Sequence, residues 1–190
     1  MTATRLLLLG PPGSGKGTQA ELLVRRTGIP QIATGDMLRA AVRAGTEVGR
    51  QAQGFMDRGE LVPDDVVIGV AEARLLEADA AKGFILDGFP RTPAQAAALD
   101  VMLKRLGVEL ERCIALRVEE DELVDRLLQR ARIEGRSDDN EQTIRTRMRI
   151  YREKTQPLID YYDRQGILEE IEGDGSIEEV AARIEEALRS

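Results

Sequence analysis

Histidine and tryptophan are absent from this 190-residue chain, cysteine occurs once, and aromatic residues make up only 3%. Each shortage excludes a class of chemistry. Without histidine there is no Ser-His-Asp or Cys-His catalysis, and the commonest metal ligand is missing. Any reaction therefore falls to carboxylates, lysine and arginine. The lone Cys113 can form neither an intramolecular disulfide nor a cysteine-rich zinc site. Flanked by Arg112 and Ile114 in an apolar stretch, it reads as a small buried side chain. So few aromatics leave little for a base-stacking platform, and a net charge of -7 argues against nucleic acid as a partner. No run approaches the ~20 apolar residues that span a bilayer. Met1 to Arg5 leads straight into Leu6-Leu7-Leu8-Leu9, without the pattern of a signal peptide. The expectation is a cytoplasmic protein that engages neither membrane nor nucleic acid.

What remains is the composition of a globular domain, 42% apolar and 32% charged, long enough for one core and too short for two ordinary ones. Short apolar runs alternate with longer amphipathic ones, which predicts an α/β architecture: a parallel sheet with crossover helices. The predicted strands are 5–9, 30–32, 84–86, 113–117 and 167–171. The predicted helices are 15–26, 35–44, 47–57, 64–78, 93–106, 120–131, 141–165 and 177–188. Asp64, Thr92 before Pro93, and Ser176 with Glu179 three residues on are helix-start signals. Pro157 should kink or divide the long helix near Thr155. The sheet pattern is interrupted by a helical stretch between the second and third strands and by a turn over 133–139.

The strongest local signal follows the first strand: Gly10-Pro11-Pro12-Gly13-Ser14-Gly15-Lys16-Gly17-Thr18. Glycines let successive backbone N–H groups turn in on a phosphate, the following helix adds its positive dipole end, and Lys16 supplies a mobile charge. A glycine-rich turn that binds nothing would leave the lysine and the extra glycines unexplained. One departure from the general phosphate-loop pattern stands out. The hydroxyl residue that should follow the lysine and bind Mg²⁺ is Gly17, with Thr18 one place later, so direct ligation by the loop gives way to an ion that keeps several waters.

Four further segments stand in order behind the loop: Thr34-Gly35-Asp36-Met37-Leu38-Arg39, Gly59-Glu60-Leu61-Val62-Pro63-Asp64, Asp87-Gly88-Phe89-Pro90-Arg91 and Gly135-Arg136-Ser137-Asp138-Asp139-Asn140. With the loop they resemble adenylate kinase, nearly from end to end. The resemblance implies a P-loop NTPase fold with a five-stranded parallel sheet, a helical monophosphate-binding insertion over 33–62 and a short lid over 130–140. It implies reversible phosphoryl transfer from ATP to AMP with ADP as product, Mg²⁺ as the ion, and a monomer as the default. The ATP contacts so implied are Gly13, Ser14, Gly15, Lys16, Gly17, Thr18, Arg126, Arg130 and the backbone at Gly175. Arg39 and Arg91 become clamps on the AMP phosphate, and Thr34 with Glu60, Leu61 and Val62 the adenine pocket. Gly88, Phe89 and Pro90 lie beside AMP, and Gln95 reads its base. Arg136 and Arg147 serve the transferring phosphoryl and the AMP side, and Asp87 holds magnesium through water. Lys16, Asp87, Arg91, Arg126, Arg136 and Arg147 form the catalytic set.

Plainer alternatives accompany single residues. Arg39 suits a solvated helix face, Thr34 a helix cap, Asp87 a cap on the next turn, and an arginine stripe at 126 and 130 an exposed surface. Larger lids in the family sometimes hold zinc through four ligands; with no histidine and one cysteine, this one cannot. UMP/CMP kinase shares the short lid and arginine set but differs at the base-reading positions Thr34 and Thr92-Pro93-Ala94-Gln95. A P-loop switch protein would need a base-reading Asn-Lys-x-Asp, which the chain lacks. Phosphoryl transfer between polyanions asks for charge and positioning more than proton transfer, as a chain without histidine requires.

Overall fold

The apolar runs form five parallel strands, β1 (Arg5–Leu9), β2 (Gln31–Ala33), β3 (Phe84–Asp87), β4 (Arg112–Arg117) and β5 (Leu168–Glu172), in the spatial order β2-β3-β1-β4-β5. The structure is a computed structural model and describes residues 3–134 and 140–189. Alternation along β1 divides the core. Leu7 and Leu9 face a cluster with Ile32, Leu86, Cys113 and Leu99. Leu6 and Leu8 face another with Ile85, Ile114, Leu23 and Ile184. Helices cover both sides: α4 (Asp64–Leu75), α5 (Pro93–Leu106) and α8 (Leu158–Asp163) on the first, α1 (Lys16–Thr27) and α9 (Ile177–Ala187) on the second. Burial on both faces is why the central strands read as unbroken hydrophobic runs.

From β1 the chain crosses outward to β2 on one side and later to β4 on the other, so the sheet order reverses at the carboxyl end of β1, where such sheets bind ligands. Leu8 and Ala33 both pair with Asp87, which sets that carboxylate between the glycine loop and the start of α2 (Thr34–Arg43). The first interruption of the sheet is α2 with α3 (Glu47–Asp57). The second is the pair α6 (Glu120–Glu134) and α7 (Glu141–Ile150), joined by their own cluster of Leu123, Leu127, Ile144 and Met148.

The strands fall within one residue or so of the predicted bounds, and Thr92, Asn140 and Ser176 cap their helices as side-chain acceptors. Two expectations need correction, the helix predicted to Ala78 and the turn predicted from 133. The helix predicted to Ala78 stops at Leu75, and a 3-10 turn, Ala78–Lys82, follows. Arg74 and Asp79 brace that step with two hydrogen bonds of 2.8 and 2.7 Å. The division expected near Thr155 in the helix predicted over 141–165 is borne out: a π-type turn, Tyr151–Thr155, separates two helices, because Pro157 has no N–H to give and Gln156 N–H reaches back five residues to the Tyr151 carbonyl. The turn expected from 133 begins inside α6, which extends to Glu134. Asp64 opens α4 as its helix-start signal predicts; the cap position is Pro63, and the carboxylate is engaged by Gln95.

Candidate functional site

The glycine loop is held open by backbone conformations that L side chains rarely adopt. Gly13 and Gly15 have φ of +83° and +88°, which glycine reaches at no steric cost. Helix α1 begins at Lys16 with no side-chain cap and no acidic residue in its first turn, so its first N–H groups and dipole end are free to face an anion. Helix α2, opening on the same space, also lacks a side-chain cap. The helices α3, α5, α7 and α9 cap themselves. Lys16 Nζ lies across the loop, donating to the Gly10 and Pro11 carbonyls at 2.8 and 3.0 Å. Burial lowers its pKa to about 8; Asp87 opposes that shift, and Arg91, Arg147 and Arg130 add to it. A lysine so placed gives its full charge most readily once anionic groups arrive.

Across the cleft, Thr34 is the first residue of α2 and does not cap it. Its hydroxyl donates to the Gly88 carbonyl at 2.9 Å. The same carbonyl accepts from Arg91 Nε at 2.7 Å, so one backbone oxygen aligns two residues assigned to AMP. Gly88 has φ +77°, and a Cβ there would stand 2.8 Å from the Arg91 guanidinium; only glycine fits. A Cβ on Gly35 would lie 3.2 Å from the Arg39 guanidinium and 3.6 Å from that of Arg91, which places the two guanidinium groups together at the N-terminus of α2. Arg39 pairs with Asp36. Arg91 is fixed along its backbone as well: its N–H donates to Gln95 Oε1 at 2.7 Å and its carbonyl accepts from the Thr155 hydroxyl at 2.9 Å. Gln95, 1% exposed, donates in turn to Asp64 at 2.7 Å. Glu60 is held by Arg58, through Nε at 3.1 Å and Nη2 at 2.8 Å. Val62 is buried beside it, Leu61 half-buried, and the Phe89–Pro90 peptide bond is cis.

A third group of side chains completes the cleft. Arg126 pairs with Glu122 and donates to the Gly173 carbonyl at 3.2 Å. Arg130 follows one turn later on α6, and Arg147 enters from α7. Near Gly175, Asp174 has its pKa raised by burial and by its hydrogen bond with Glu122. Arg136 and Gly135 lie outside the described residues. Among the described residues, the loop from Gly13 to Thr18, Thr34, Arg39, Glu60 to Val62, Asp87, Arg91, Gln95, Arg126, Arg130 and Arg147 line one cleft of about 1030 Å³, which runs from Gly175 and Ile177 past the loop to Thr34, Arg39 and Gln95. Among the described residues six cationic side chains and five carboxylates face it, a positive balance inside a chain of net charge -7. Of the assigned residues, Phe89 is the one described that stands behind the wall, fully buried.

The donor set suits Mg²⁺ held indirectly. Among the described residues no three histidine, cysteine or acidic side chains cluster as metal ligands. Asp87 stands alone at the end of β3, oriented by Gln31 Nε2 at 3.0 Å. A Cβ on Gly17 would still lie 3.7 Å from Asp87 Oδ2, so the missing hydroxyl leaves space between loop and carboxylate. A small ion that keeps its waters and takes one carboxylate plus phosphate oxygens fits that space.

Sequence reasoning passed over Gln31, Glu122 and Thr155, and read Asp64 as a helix start alone. Their partners lie 56, 4, 64 and 31 residues away. The Glu122 spacing to Arg126 was visible in the sequence as an i,i+4 pair; the other pairings depend on the sheet order. Comparison with known proteins shows the family of the chain. A family model described as adenylate kinase matches residues 8–167. The chain is similar to a protein named adenylate kinase in Thermobifida fusca, 53% identical over 98% of each chain. A protein of the same name in Leptospira biflexa is 57% identical over 95% of this chain and 97% of its own. A third, in Stenotrophomonas maltophilia, is 49% identical over 97% and 99%.

Proposed function

The chain belongs to the adenylate kinase family, and from that premise we propose that it transfers a phosphoryl group reversibly from ATP to AMP, giving two ADP, with the residues of this cleft in the following roles. The loop N–H groups from Gly13 to Thr18 and Lys16 hold the ATP phosphates, with Arg126 and Arg130 opposite. Gly175 supplies backbone to the ATP adenine. Arg39 and Arg91 hold the AMP phosphate, and Thr34, Gln95 and the backbone from Glu60 to Val62 take its base. Arg147 serves the transferring phosphoryl and the AMP side, a role the reading also gives to Arg136, which lies outside the described residues. An AMP phosphate oxygen attacks the γ-phosphorus as the bond to the β,γ-bridging oxygen breaks, and ADP leaves. The attacking oxygen is already anionic, so no base is needed. The work is to align the two ends and neutralise charge spreading over the transferred group. Asp87 would hold Mg²⁺ through water, and the bound ion supplies charge neutralisation on the donor phosphates.

The observation that carries this reading is the single cleft of about 1030 Å³ with an uncapped helix N-terminus at the loop and paired arginines at the other end. Its volume matches the upper range for one ligand site of roughly 1,000 Å³, and its two ends offer separate anion seats. Closure of 33–62 and 130–140 over both nucleotides would exclude water and protect ATP from hydrolysis. Arg130 and Arg147, on the two helices that flank the second segment, give such a closure phosphates to grip. No helix among the described residues is long and apolar enough to cross a membrane; the reading includes a cytoplasmic monomer, for sedimentation and cell fractionation to test. Activity is tested by ADP formation from ATP with AMP, CMP, UMP or GMP. AMP should be strongly preferred; equal or faster turnover with CMP or UMP would move the chain to the UMP/CMP kinases.

A further inference from the structure

Gln95 is buried, and its amide has no freedom of direction. Arg91 N–H can only donate, and it meets Oε1 at 2.7 Å. The Asp64 carboxylate can only accept, and it meets Nε2 at 2.7 Å. Turning the amide over would set oxygen against carboxylate and N–H against N–H, leaving both pairs unmade at a buried side chain. Asp64 is itself anchored: the Thr92 hydroxyl donates to it at 3.2 and 3.3 Å, while accepting the Gln95 backbone N–H at 3.1 Å. Asp64, Thr92 and Gln95 thus form a closed ring of hydrogen bonds between the first residue of α4 and the first turn of α5.

Once these bonds are made, the Gln95 amide retains one N–H and one oxygen lone pair, in an order fixed by its protein partners. A 6-amino purine presents an acceptor at N1 and a donor at N6. A 6-oxo purine presents the reverse, a donor at N1 and an acceptor at O6. We propose that Asp64, which lies behind Gln95, is a specificity-determining residue: with the Arg91 main-chain N–H it fixes the Gln95 amide in the sense that accepts a 6-amino purine monophosphate and rejects a 6-oxo one. The inference rests on the reading of Gln95 as the residue that meets the AMP base. Asp64 is a positioning residue in this scheme, acting through Gln95. Burial raises the penalty for a mismatch, because a site built to pair with a polar edge discriminates by leaving groups unpaired.

The test compares kcat/KM for AMP and IMP in the wild-type protein, Asp64→Ala, Asp64→Asn and Gln95→Ala, with the KM for ATP as internal control. In Asp64→Ala the AMP-to-IMP ratio should fall by about tenfold or more, through KM for the monophosphate, with the ATP KM unchanged. Asp64→Asn can offer either an oxygen or an N–H2 and should fall between the two; it also decides the matter if the alanine variant fails to fold. An intact ratio in both Asp64 variants, or an equal loss for AMP and IMP, while Gln95→Ala collapses the ratio, overturns the role of Asp64 and leaves Gln95 as the base reader. An unchanged ratio in Gln95→Ala shows instead that the base is read elsewhere, and the inference falls with the reading beneath it.

Discussion

The two ends of the cleft are built in opposite ways. The phosphate loop is one continuous stretch, and its binding groups are backbone N–H, a helix end and one lysine that rests on its own loop carbonyls. The opposite end is assembled from side chains: Thr34 and Arg39 from α2, Arg91 from the turn after β3, Gln95 from α5, with Asp64 from α4 and Thr155 from the π-type turn behind them. A backbone cradle grips any polyphosphate alike, since all carry the same oxygens. Side chains drawn from several elements can match one base and one phosphate position. On the proposed reading, generic affinity would lie at the loop and selectivity at the opposite end.

The largest effect that would test this division is at the loop. Lys16→Met should leave the fold intact and lower kcat on the order of 10²-fold or more, with every monophosphate alike, because a neutral side chain cannot follow the migrating charge. Steady-state rates with AMP and CMP check it; activity within a few-fold of wild type would remove Lys16 from the chemistry. At the other end, Arg91→Ala should lower kcat/KM for AMP by roughly tenfold to a hundredfold, as for a lost charged hydrogen bond, and leave ATP binding in equilibrium dialysis near its original strength. An equal loss of ATP binding would dissolve the distinction between the ends.

A pH profile sharpens the comparison further. The ammonium of Lys16 is the active form, and burial holds its pKa at about 8 in the free protein. kcat/KM for ATP should therefore be full below that pH and fall as pH rises through it. Bound phosphates favour the charged form, so kcat should persist to higher pH. A profile for kcat/KM that stays flat past pH 9 would contradict the placement of Lys16. The smallest effect is expected from Thr155→Val, which frees the Arg91 carbonyl from the helix after Arg147. The cost should be about 1 kcal/mol, seen as a modest rise in KM for AMP with the KM for ATP unmoved.

The same contrast explains what could be read in the sequence. The loop was legible residue by residue, since its function resides in contiguous glycines whose conformation is local. The sheet was legible because β1, β3 and β4 are buried on both faces and so read as apolar runs. Thr92 declared itself as a cap through Pro93 behind it, and Ser176 through its spacing to Glu179. What escaped was non-local. Asp64 carried the mark of a helix start, but its partners Thr92 and Gln95 are brought to it by the packing of α4 on α5. Pro157 announced a break, yet the i−5 bond of Gln156 that shapes the π-type turn, and so aims Thr155 at Arg91, depends on how that break is packed. The 3-10 turn after Leu75 rests on the bidentate Arg74 and Asp79 pair, which the helical pattern through Ala78 concealed.

The central claim is that the two ends belong to one reaction space and act together. It is tested most directly by backbone hydrogen exchange in the presence of a compound that joins two adenosines through five phosphates. Amides at 34–62 and at 130–134 should become protected together at a single saturating stoichiometry of one compound per chain, while β1, β3 and β4 change little. Protection confined to the loop and α1, with residues 34–62 unaffected, would show that the second end does not hold a nucleotide beside the first, and would contradict the account.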